Sequence, residues 1–296
     1  MWGGVLFALL AALCNAVSVI TRHIAGTADP HRPAGFGLVG YLLRNPRWLA
    51  GSGAQVGAFV FQAVALHLGQ LSVVQPLLVV ELVFALVLRQ VWIRQEVAAT
   101  AWAGAVAACA GLAVFLVAAE PRGGHSGPTA SHWAVAIVAS LAVVAVLSLL
   151  GLGGPPGSRA ALRALAAGVM WALEAAFIKA ATDDAAEGGL AGLFTHWAVY
   201  AVAVGGLAGV VLEQAALQGG PLRVSQPLLA ITDPVVSVAL SMWLFGEYFV
   251  MDAGALAAAA AGFSVMCAGV VVISRTAPAT LRPDAEATRV TRIRYG

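Results

Sequence analysis

The strongest constraint on the fold is a phrase that the chain contains twice. Residues 65–78 read ALHLGQLSVVQPLL and residues 216–229 read ALQGGPLRVSQPLL, so nine of fourteen positions are identical at a constant offset of 151. A second pair follows at an offset of 158, where AGAVAACAG at 103–111 is repeated as AGFSVMCAG at 261–269. Chance similarity between apolar segments rarely includes a matched Gly followed by Gln-Pro-Leu-Leu. The chain is therefore predicted to contain two copies of one structural unit.

The amino-acid composition indicates that these copies lie in a membrane. Sixty per cent of the residues are hydrophobic and only 10% are charged, whereas soluble domains carry about 25% charged residues. Several apolar runs approach the ~20 residues that a helix needs to cross a membrane, and backbone amides in lipid must be satisfied within helices. The predicted fold class is an all-α integral membrane protein with nine transmembrane helices, at 2–22, 48–69, 71–93, 99–118, 133–151, 160–181, 194–215, 222–245 and 253–274.

The repeat pairs the third span with the eighth and the fourth with the ninth. Each unit therefore has five helices, and the second copy lacks the fifth because the sequence after Arg275 is polar. An odd number of spans per unit places the second copy upside down relative to the first, which is typical of secondary transporters. We predict an inverted five-plus-four repeat, with a first unit at 1–151, a second unit at 160–274 and a polar cytoplasmic tail at 275–296.

The charges predict the orientation. Fourteen of the sixteen Lys and Arg residues lie on one side of this topology, and Arg122 and Lys179 are the exceptions. Basic residues favour the cytoplasmic side. We therefore expect a multi-pass protein of the cell membrane, with its N-terminus outside and its C-terminal tail in the cytoplasm.

Carboxylates within the spans are candidate functional groups, because an ionisable side chain at mid-bilayer costs about 3 kcal/mol even on the insertion scale. Glu81, Glu174 and Asp233 lie near the middle of their spans. A polar or small face runs along the eighth span through Asp233, and Asn15 is polar within the first. Hydrogen bonding between helices is the alternative role for Asn15. The predicted substrate- or ion-binding residues are Glu81, Asp233, Glu174, Gln226, Ser237 and Asn15.

The Gln-Pro pairs are candidate hinges. Gln75-Pro76 and Gln226-Pro227 are equivalent in the two copies and lie about one turn into their helices. A proline in a first turn is also simply tolerated there, so a structural role stays open. Asp233-Pro234 is expected to break the eighth helix, since proline removes a backbone donor.

Other sequence features exclude several classes of protein. The chain has no phosphate-binding loop, no cluster of His and Cys with metal-ligand spacing and no dinucleotide-binding fingerprint. Its three cysteines lie in apolar runs and do not indicate a disulfide framework. We expect no enzyme activity, no cofactor and no nucleic-acid partner.

The segment MWLFGEYFVMDAGALAAAAAGFSVMCAGVVVI at 242–273 resembles the Phe-Gly-Glu, variable loop and Gly-rich helix of the drug/metabolite transporter superfamily, whose members include EamA-like proteins. The first copy departs from this pattern, with Arg-Gln-Glu at 94–96. Tyr41-Leu42, Trp48 and Pro76-Leu77 are similar to features of the NIPA-type magnesium transporters, a branch of the same superfamily. That resemblance implies a hydrated divalent cation, for which Glu81, Glu174 and Asp233 would supply oxygen ligands through retained waters.

The predicted function is a secondary transporter that moves a small solute by alternating access. A NIPA-type Mg²⁺ transporter or channel-like conductor is the first alternative, and a non-transporting membrane scaffold or lipid-carrier binder is the second. The expected partners are a small-molecule or cation substrate and the lipid bilayer, and a homodimer stays open. The identity of the substrate, the direction of transport and the coupling ion are left open by the sequence.

Overall fold

A computed structural model describes residues 2–27, 46–94, 96–124 and 127–276. Within these residues, nine helical stretches are long and apolar enough to cross a membrane, with α3 and α4 together forming one of them. The protein is thus a multi-pass, all-α membrane protein, as predicted. The helices are α1 (Trp2–Thr27), α2 (Pro46–Leu68), α3 (Leu71–Leu78), α4 (Glu81–Trp92), α5 (Ala99–Ala119), α6 (Ala130–Leu150), α7 (Pro156–Thr195), α8 (Ala198–Gln218), α9 (Leu222–Phe245) and α10 (Ala253–Thr276).

The third span is interrupted, whereas the prediction was one continuous helix over 71–93. Helix α3 ends at Leu78 and α4 begins at Glu81, with Val79 and Val80 in a turn between them. The Val79 backbone N–H donates to the carbonyl oxygen of Pro76 at 3.2 Å, a three-residue step that is tighter than the α-helical one. Pro76 lacks an N–H and its ring crowds the turn before it, whereas the tight turn lies after Pro76, so the proline alone does not account for the break.

The eighth span, in contrast, is not interrupted. Helix α9 runs without interruption from Leu222 to Phe245 through both Pro227 and Pro234, so the predicted break at Asp233-Pro234 is wrong. The hydroxyl of Thr232 donates to the carbonyl oxygen of Leu228 at 2.6 Å and supports the turn before the proline. The two equivalent helices therefore differ, since one is broken and the other is continuous.

Helix α7 is longer than the predicted span at 160–181. Its apolar stretch covers 34 residues, Pro156–Gly189, before Gly189 departs from helical geometry with φ 61°. Residues 164–181 of this stretch are mostly buried inside the bundle, where α7 packs against α8 and α9. The polar residues that ended the predicted span, such as Asp183, mark an approach to water and not an end to helical backbone.

Helices α5 and α10 touch through glycines. A Cβ atom built on Gly104 would lie 3.0 Å from the Gly269 carbonyl oxygen, and one built on Gly111 would lie 2.5 Å from the Gly262 carbonyl oxygen. The first glycine of one helix thus meets the last glycine of the other, so the helices run antiparallel. At the repeat offset of 158, Gly104 corresponds to Gly262 and Gly111 to Gly269. Gly104 therefore contacts the counterpart of Gly111, and Gly111 contacts the counterpart of Gly104.

One end of the bundle is joined by a short two-stranded sheet, and we call this end the hairpin face. Strand β1 (Pro121–Gly123) pairs antiparallel with β2 (Glu247–Phe249). The Gln70 side chain donates to the Gly123 carbonyl oxygen at 3.0 Å, which ties the α2–α3 loop to the sheet. Residues 93–94, 96–98, 151–155 and 219–221 lie at the opposite face, as the alternation of the spans requires.

Two predicted regions lie outside the described residues. They are the polar tail from residue 277 onwards and residues 28–45 of the first loop, which include Tyr41-Leu42.

Candidate functional site

Glu81 begins α4 directly after the break in the third span, and a chain of polar side chains leads to it. The Asn15 side chain of α1 forms a hydrogen bond with the Glu81 carboxylate. Asn15 Oδ1 accepts a hydrogen bond from Gln55 Nε2 of α2 at 3.0 Å, and Gln55 Oε1 accepts one from the Ser18 hydroxyl at 3.2 Å. The chain links three helices of the first half, so Glu81 faces protein and not lipid.

Asp233 lies near the middle of α9 and is partly buried. Its Oδ1 accepts a hydrogen bond from the hydroxyl of Ser237, one turn further along, at 3.1 Å. Ser237 and Ser241 are fully buried, whereas Val235 on another side of the same helix is exposed. The polar face that was predicted for this span is therefore turned into the bundle.

Glu174 is the most enclosed of the three predicted carboxylates, with 7% of its surface exposed. It lies on α7 and faces α8, where a Cβ atom built on Gly206 would lie 3.0 Å from Glu174 Oε1. The glycine leaves space for the carboxylate between these two helices. Among the described residues, the Glu174 carboxylate has no hydrogen-bond partner.

Asp233 interacts with both of the other predicted carboxylates. It is close enough to interact electrostatically with Glu174 on α7 and with Glu81 on α4. Glu81 is also influenced by Glu213 of α8, whose carboxylate accepts a hydrogen bond from Trp171 Nε1 at 3.0 Å. The structure thus gathers carboxylates from both halves of the chain into one electrostatic neighbourhood.

Neither ion pair in the described part of the chain includes Glu81, Glu174 or Asp233. The ion pairs there join His67 to Asp183 and Arg122 to Glu120, away from the three carboxylates. Lys179 is on the same helix as Glu174, but its Nζ donates to the carbonyl oxygens of Leu66 and Gly69 at 2.9 and 3.2 Å. An enclosed carboxylate without a partner costs several kcal/mol if it is charged. A proton or a cationic ligand is the physical means of neutralising it.

The conditional magnesium site was predicted from Glu81, Glu174 and Asp233. Among the residues that the structure describes, no group of three His, Cys, Asp or Glu side chains is placed to hold a metal ion. The three carboxylates are therefore neighbours in pairs and do not form a compact three-ligand centre.

The remaining predicted residues have different surroundings. Gln75 is 2% exposed, and its Oε1 has no hydrogen-bond partner in the described part of the chain. Its counterpart Gln226 is only partly buried. The prolines of the predicted hinges, Pro76, Pro227 and Pro234, are all buried. The structure joins Asn15 to Glu81 and Ser237 to Asp233 directly, and it shows no hydrogen bond from Gln226.

Two polar residues with evident roles were not among the predicted site residues. Gln55 completes the chain that leads to Glu81, and its signal was a long polar side chain in the otherwise apolar α2. Glu247 is 3% exposed and bonds to the start of α3. Its signal was the Phe-Gly-Glu segment itself, which was used to find a resemblance and not a contact.

The comparisons with known proteins complete these observations. The chain is similar to an uncharacterized protein of Corynebacterium glutamicum, with 28% identity over 274 residues that cover 92% of this chain and 94% of that protein. No family model matches the chain, and no solved structure matches it.

Proposed function

We propose that the protein is a secondary transporter of the drug/metabolite transporter superfamily that moves a small solute across the cell membrane by alternating access. The observation that carries this proposal is the set of enclosed carboxylates, Glu81, Glu174 and Asp233, which interact across the two halves without an ion pair among the described residues. Acidic groups inside a membrane protein usually mark an ion, proton or substrate route.

The inverted duplication is part of this proposal and is supported by the α5–α10 contact. Two copies related by an axis in the membrane plane should bring equivalent helices together antiparallel, with equivalent positions exchanged. The pairs Gly104–Gly269 and Gly111–Gly262 have this relationship. The repeat boundaries at 1–151 and 160–274 remain predictions that follow from the offsets.

The alternating step is supported by the difference between the two equivalent helices. The third span is broken at Val79–Val80, directly before Glu81, whereas α9 is continuous through Asp233. Discontinuous helices beside a mid-membrane site are typical of secondary transporters. In the proposed cycle the two units rock about the Gln75-Pro76 and Gln226-Pro227 segments, and the carboxylates bind a proton or a cationic group on each side in turn.

The orientation follows from the positive-inside rule, which places the hairpin face outside the cell. The acidic residues at that face, Asp183, Asp184 and Glu187, agree with this assignment. Solute transport, and not catalysis, is the proposed activity.

A ligand screen tests the function. Purified protein is heated in the presence of Mg²⁺, amino acids, nucleosides or cationic drugs, since a ligand that binds the folded state raises its melting temperature. Each ligand that raises it is then tested for counterflow in proteoliposomes that contain either the unaltered chain or Asp233→Asn. We expect a cationic ligand to stabilise the unaltered chain and to exchange across the membrane.

The outcomes separate the alternatives. Stabilisation by Mg²⁺ alone would favour a divalent-cation transporter, and flux that follows membrane potential but ignores a proton gradient would favour a channel-like conductor. Lipid binding without movement of any soluble ligand would support a scaffold or lipid carrier and would contradict the transport proposal.

A further inference from the structure

Glu247 caps a helix that belongs to the other half of the chain. Its Oε1 accepts a hydrogen bond from the Leu71 backbone N–H at 2.9 Å, and its Oε2 accepts bonds from the Ser72 backbone N–H at 3.0 Å and from the Ser72 hydroxyl at 2.5 Å. The first amides of a helix have no partners within it and attract negative charge. Glu247 therefore fastens the start of α3 to the second half of the chain.

Further contacts lie beside this cap at the hairpin face. Glu247 is held in β2, where it pairs with Gly123 of β1. Helix α3 has no cap of its own, because the Gln70 side chain bonds to the sheet instead. Lys179 ties the second half to the end of α2 a few residues before the cap. The bonds of Glu247 and Lys179 join the two halves at one end of the bundle, and the Gln70 bond lies within the first half at the same end.

The repeat assigns a counterpart to each member of the cap. Subtracting the offset of 151 from Glu247 gives Glu96, and adding it to Leu71 and Ser72 gives Leu222 and Arg223, the first two residues of α9. Glu96 follows the third span, and Leu222 and Arg223 follow the seventh. Both of these spans run away from the hairpin face in the alternating topology, which places these residues at the opposite face. A basic residue thus replaces Ser72 in the second copy, and a guanidinium is a better partner than a hydroxyl for a carboxylate.

The counterpart cap is not formed in the structure. Glu96 is exposed and has no hydrogen bond to another described residue, and Arg223 is exposed as well. The residue before α9, Pro221, gives its amides no side-chain cap. The first copy therefore has a capped helix that breaks before Glu81, and the second copy has an uncapped helix that continues past Asp233.

We propose that Glu247 and Glu96 are paired positioning residues that close the two faces alternately. In the structure Glu247 holds α3 at the hairpin face, which is the closed face of the proposed cycle. In the opposite state Glu247 releases Leu71 and Ser72, and Glu96 bonds to the amides of Leu222 and Arg223 and to the Arg223 side chain. This inference rests on the transport function and the inverted duplication proposed above.

Exchange of the caps also moves the break between the copies. Adding 151 to Val79 and Val80 gives Ala230 and Ile231, directly before Thr232 and Asp233. In the opposite state α9 breaks there, and the third span becomes continuous. The two copies would then have exchanged conformations, which is how inverted repeats produce two states of opposite access.

The test measures access and not transport. Cys14, Cys109 and Cys267 are replaced by Ala, and Ser237→Cys is introduced as a reporter, because Ser237 is fully buried and lies between Asp233 and the hairpin face. A membrane-impermeant maleimide is applied to that face in whole cells and to the other face in inverted vesicles. Glu247→Gln should raise labelling from the hairpin face about tenfold or more, since hydrogen bonds to a charged group are lost. Glu96→Gln should not raise it.

Two further measurements separate this gate from a general loss of stability. Glu96→Cys combined with Arg223→Cys should form a cross-link at least about tenfold faster when Glu247→Gln is added, because loss of the Glu247 cap favours the opposite state, in which residues 96 and 223 lie together. Glu187→Gln is the matched control, since Glu187 is an exposed carboxylate at the hairpin face. It should change neither reading. If Glu247→Gln is not monodisperse, Ser72→Ala replaces it and should act in the same direction with a smaller change.

The outcomes are distinct. Unchanged hairpin-face labelling in the Glu247 variant, or an equal rise in both the Glu247 and the Glu96 variants, would overturn the gate. Labelling that responds as expected in a protein that transports none of the screened ligands would support the gate and contradict the transport function. A protein that transports a screened ligand, but whose labelling is unchanged by both the Glu247 and the Glu96 substitutions, would support the transport function and contradict the gate.

Discussion

Gly111 of α5 and Met266 of α10 lie so close together that a Cβ atom built on Gly111 would sit 2.3 Å from the Met266 backbone nitrogen. No side chain other than hydrogen fits there without moving one backbone away from the other. Small residues at such positions allow transmembrane helices to approach closely and gain van der Waals contact.

The first prediction concerns this contact. Gly111→Val should separate α5 from α10, destabilise the protein by about 1–3 kcal/mol or more and lower its melting temperature in detergent. Gly53→Ala is the matched control, because nothing lies within 4 Å of a Cβ atom at Gly53. A Gly111 variant that melts with the unaltered chain would show that the helices are not packed in this way.

Asp233→Asn should abolish transport of the ligand identified by screening, while expression and elution as a single species are unchanged. The substitution keeps the size of the side chain and a hydrogen bond to Ser237, and it removes the negative charge that interacts with Glu81 and Glu174. Counterflow in proteoliposomes measures the effect, with Glu187→Gln as the control. Transport at the unaltered rate would remove Asp233 from the mechanism.

The hydrogen-bonded chain that leads to Glu81 gives a third prediction. Gln55→Leu removes the donor to Asn15 and the acceptor of the Ser18 hydroxyl. Each lost hydrogen bond between uncharged groups contributes about 0.5–1.5 kcal/mol, so we expect a lower melting temperature. We also expect a smaller thermal shift on addition of the ligand, because Asn15 would no longer be held against Glu81. An unchanged ligand response would separate Gln55 from the binding site.

Lys179→Met should destabilise the hairpin face. The ammonium donates to two carbonyl oxygens at the end of α2 and lies 5.3 Å from the centre of the Phe245 ring. Loss of hydrogen bonds from a charged donor costs about 1.5–3 kcal/mol. Arg122→Gln serves as the control, because it breaks an exposed pair with Glu120 at the same face. Equal melting temperatures for these two variants would contradict the capping role of Lys179.

The number and type of the spans could be predicted because lipid offers no hydrogen-bond partners to the polar backbone, so a long apolar run must be a helix. Their interruptions could not be predicted from proline alone. Pro76 and Pro234 are both buried within spans, yet only the third span breaks. The outcome depends on the contacts of the surrounding helix, such as the cap that Glu247 provides from the far end of the sequence.

The sequence identifies the candidate carboxylates, whereas their hydrogen-bond partners come from the structure. Glu81, Glu174 and Asp233 were identified by the cost of a charge in an apolar run, which a single sequence displays. The pairing of Asn15 with Glu81 joins distant parts of the chain and depends on how α1 packs against α4. Glu247 lies at the edge of a span, where an acidic residue carries no such cost, and its Phe-Gly-Glu segment indicates a resemblance and not a contact.

The 34-residue apolar stretch of α7 has a practical consequence. At 1.5 Å per residue it is about 50 Å long, which exceeds the thickness of a bilayer with its headgroups, about 40–45 Å. A helix of this length is long enough to carry its last turns, with Asp183, Asp184 and Glu187, beyond the lipid headgroups, and its middle is buried in the bundle. An epitope or antibody-fragment site grafted at Gly188–Gly189 would give cryo-electron microscopy a fiducial that is continuous with a helix of the bundle core.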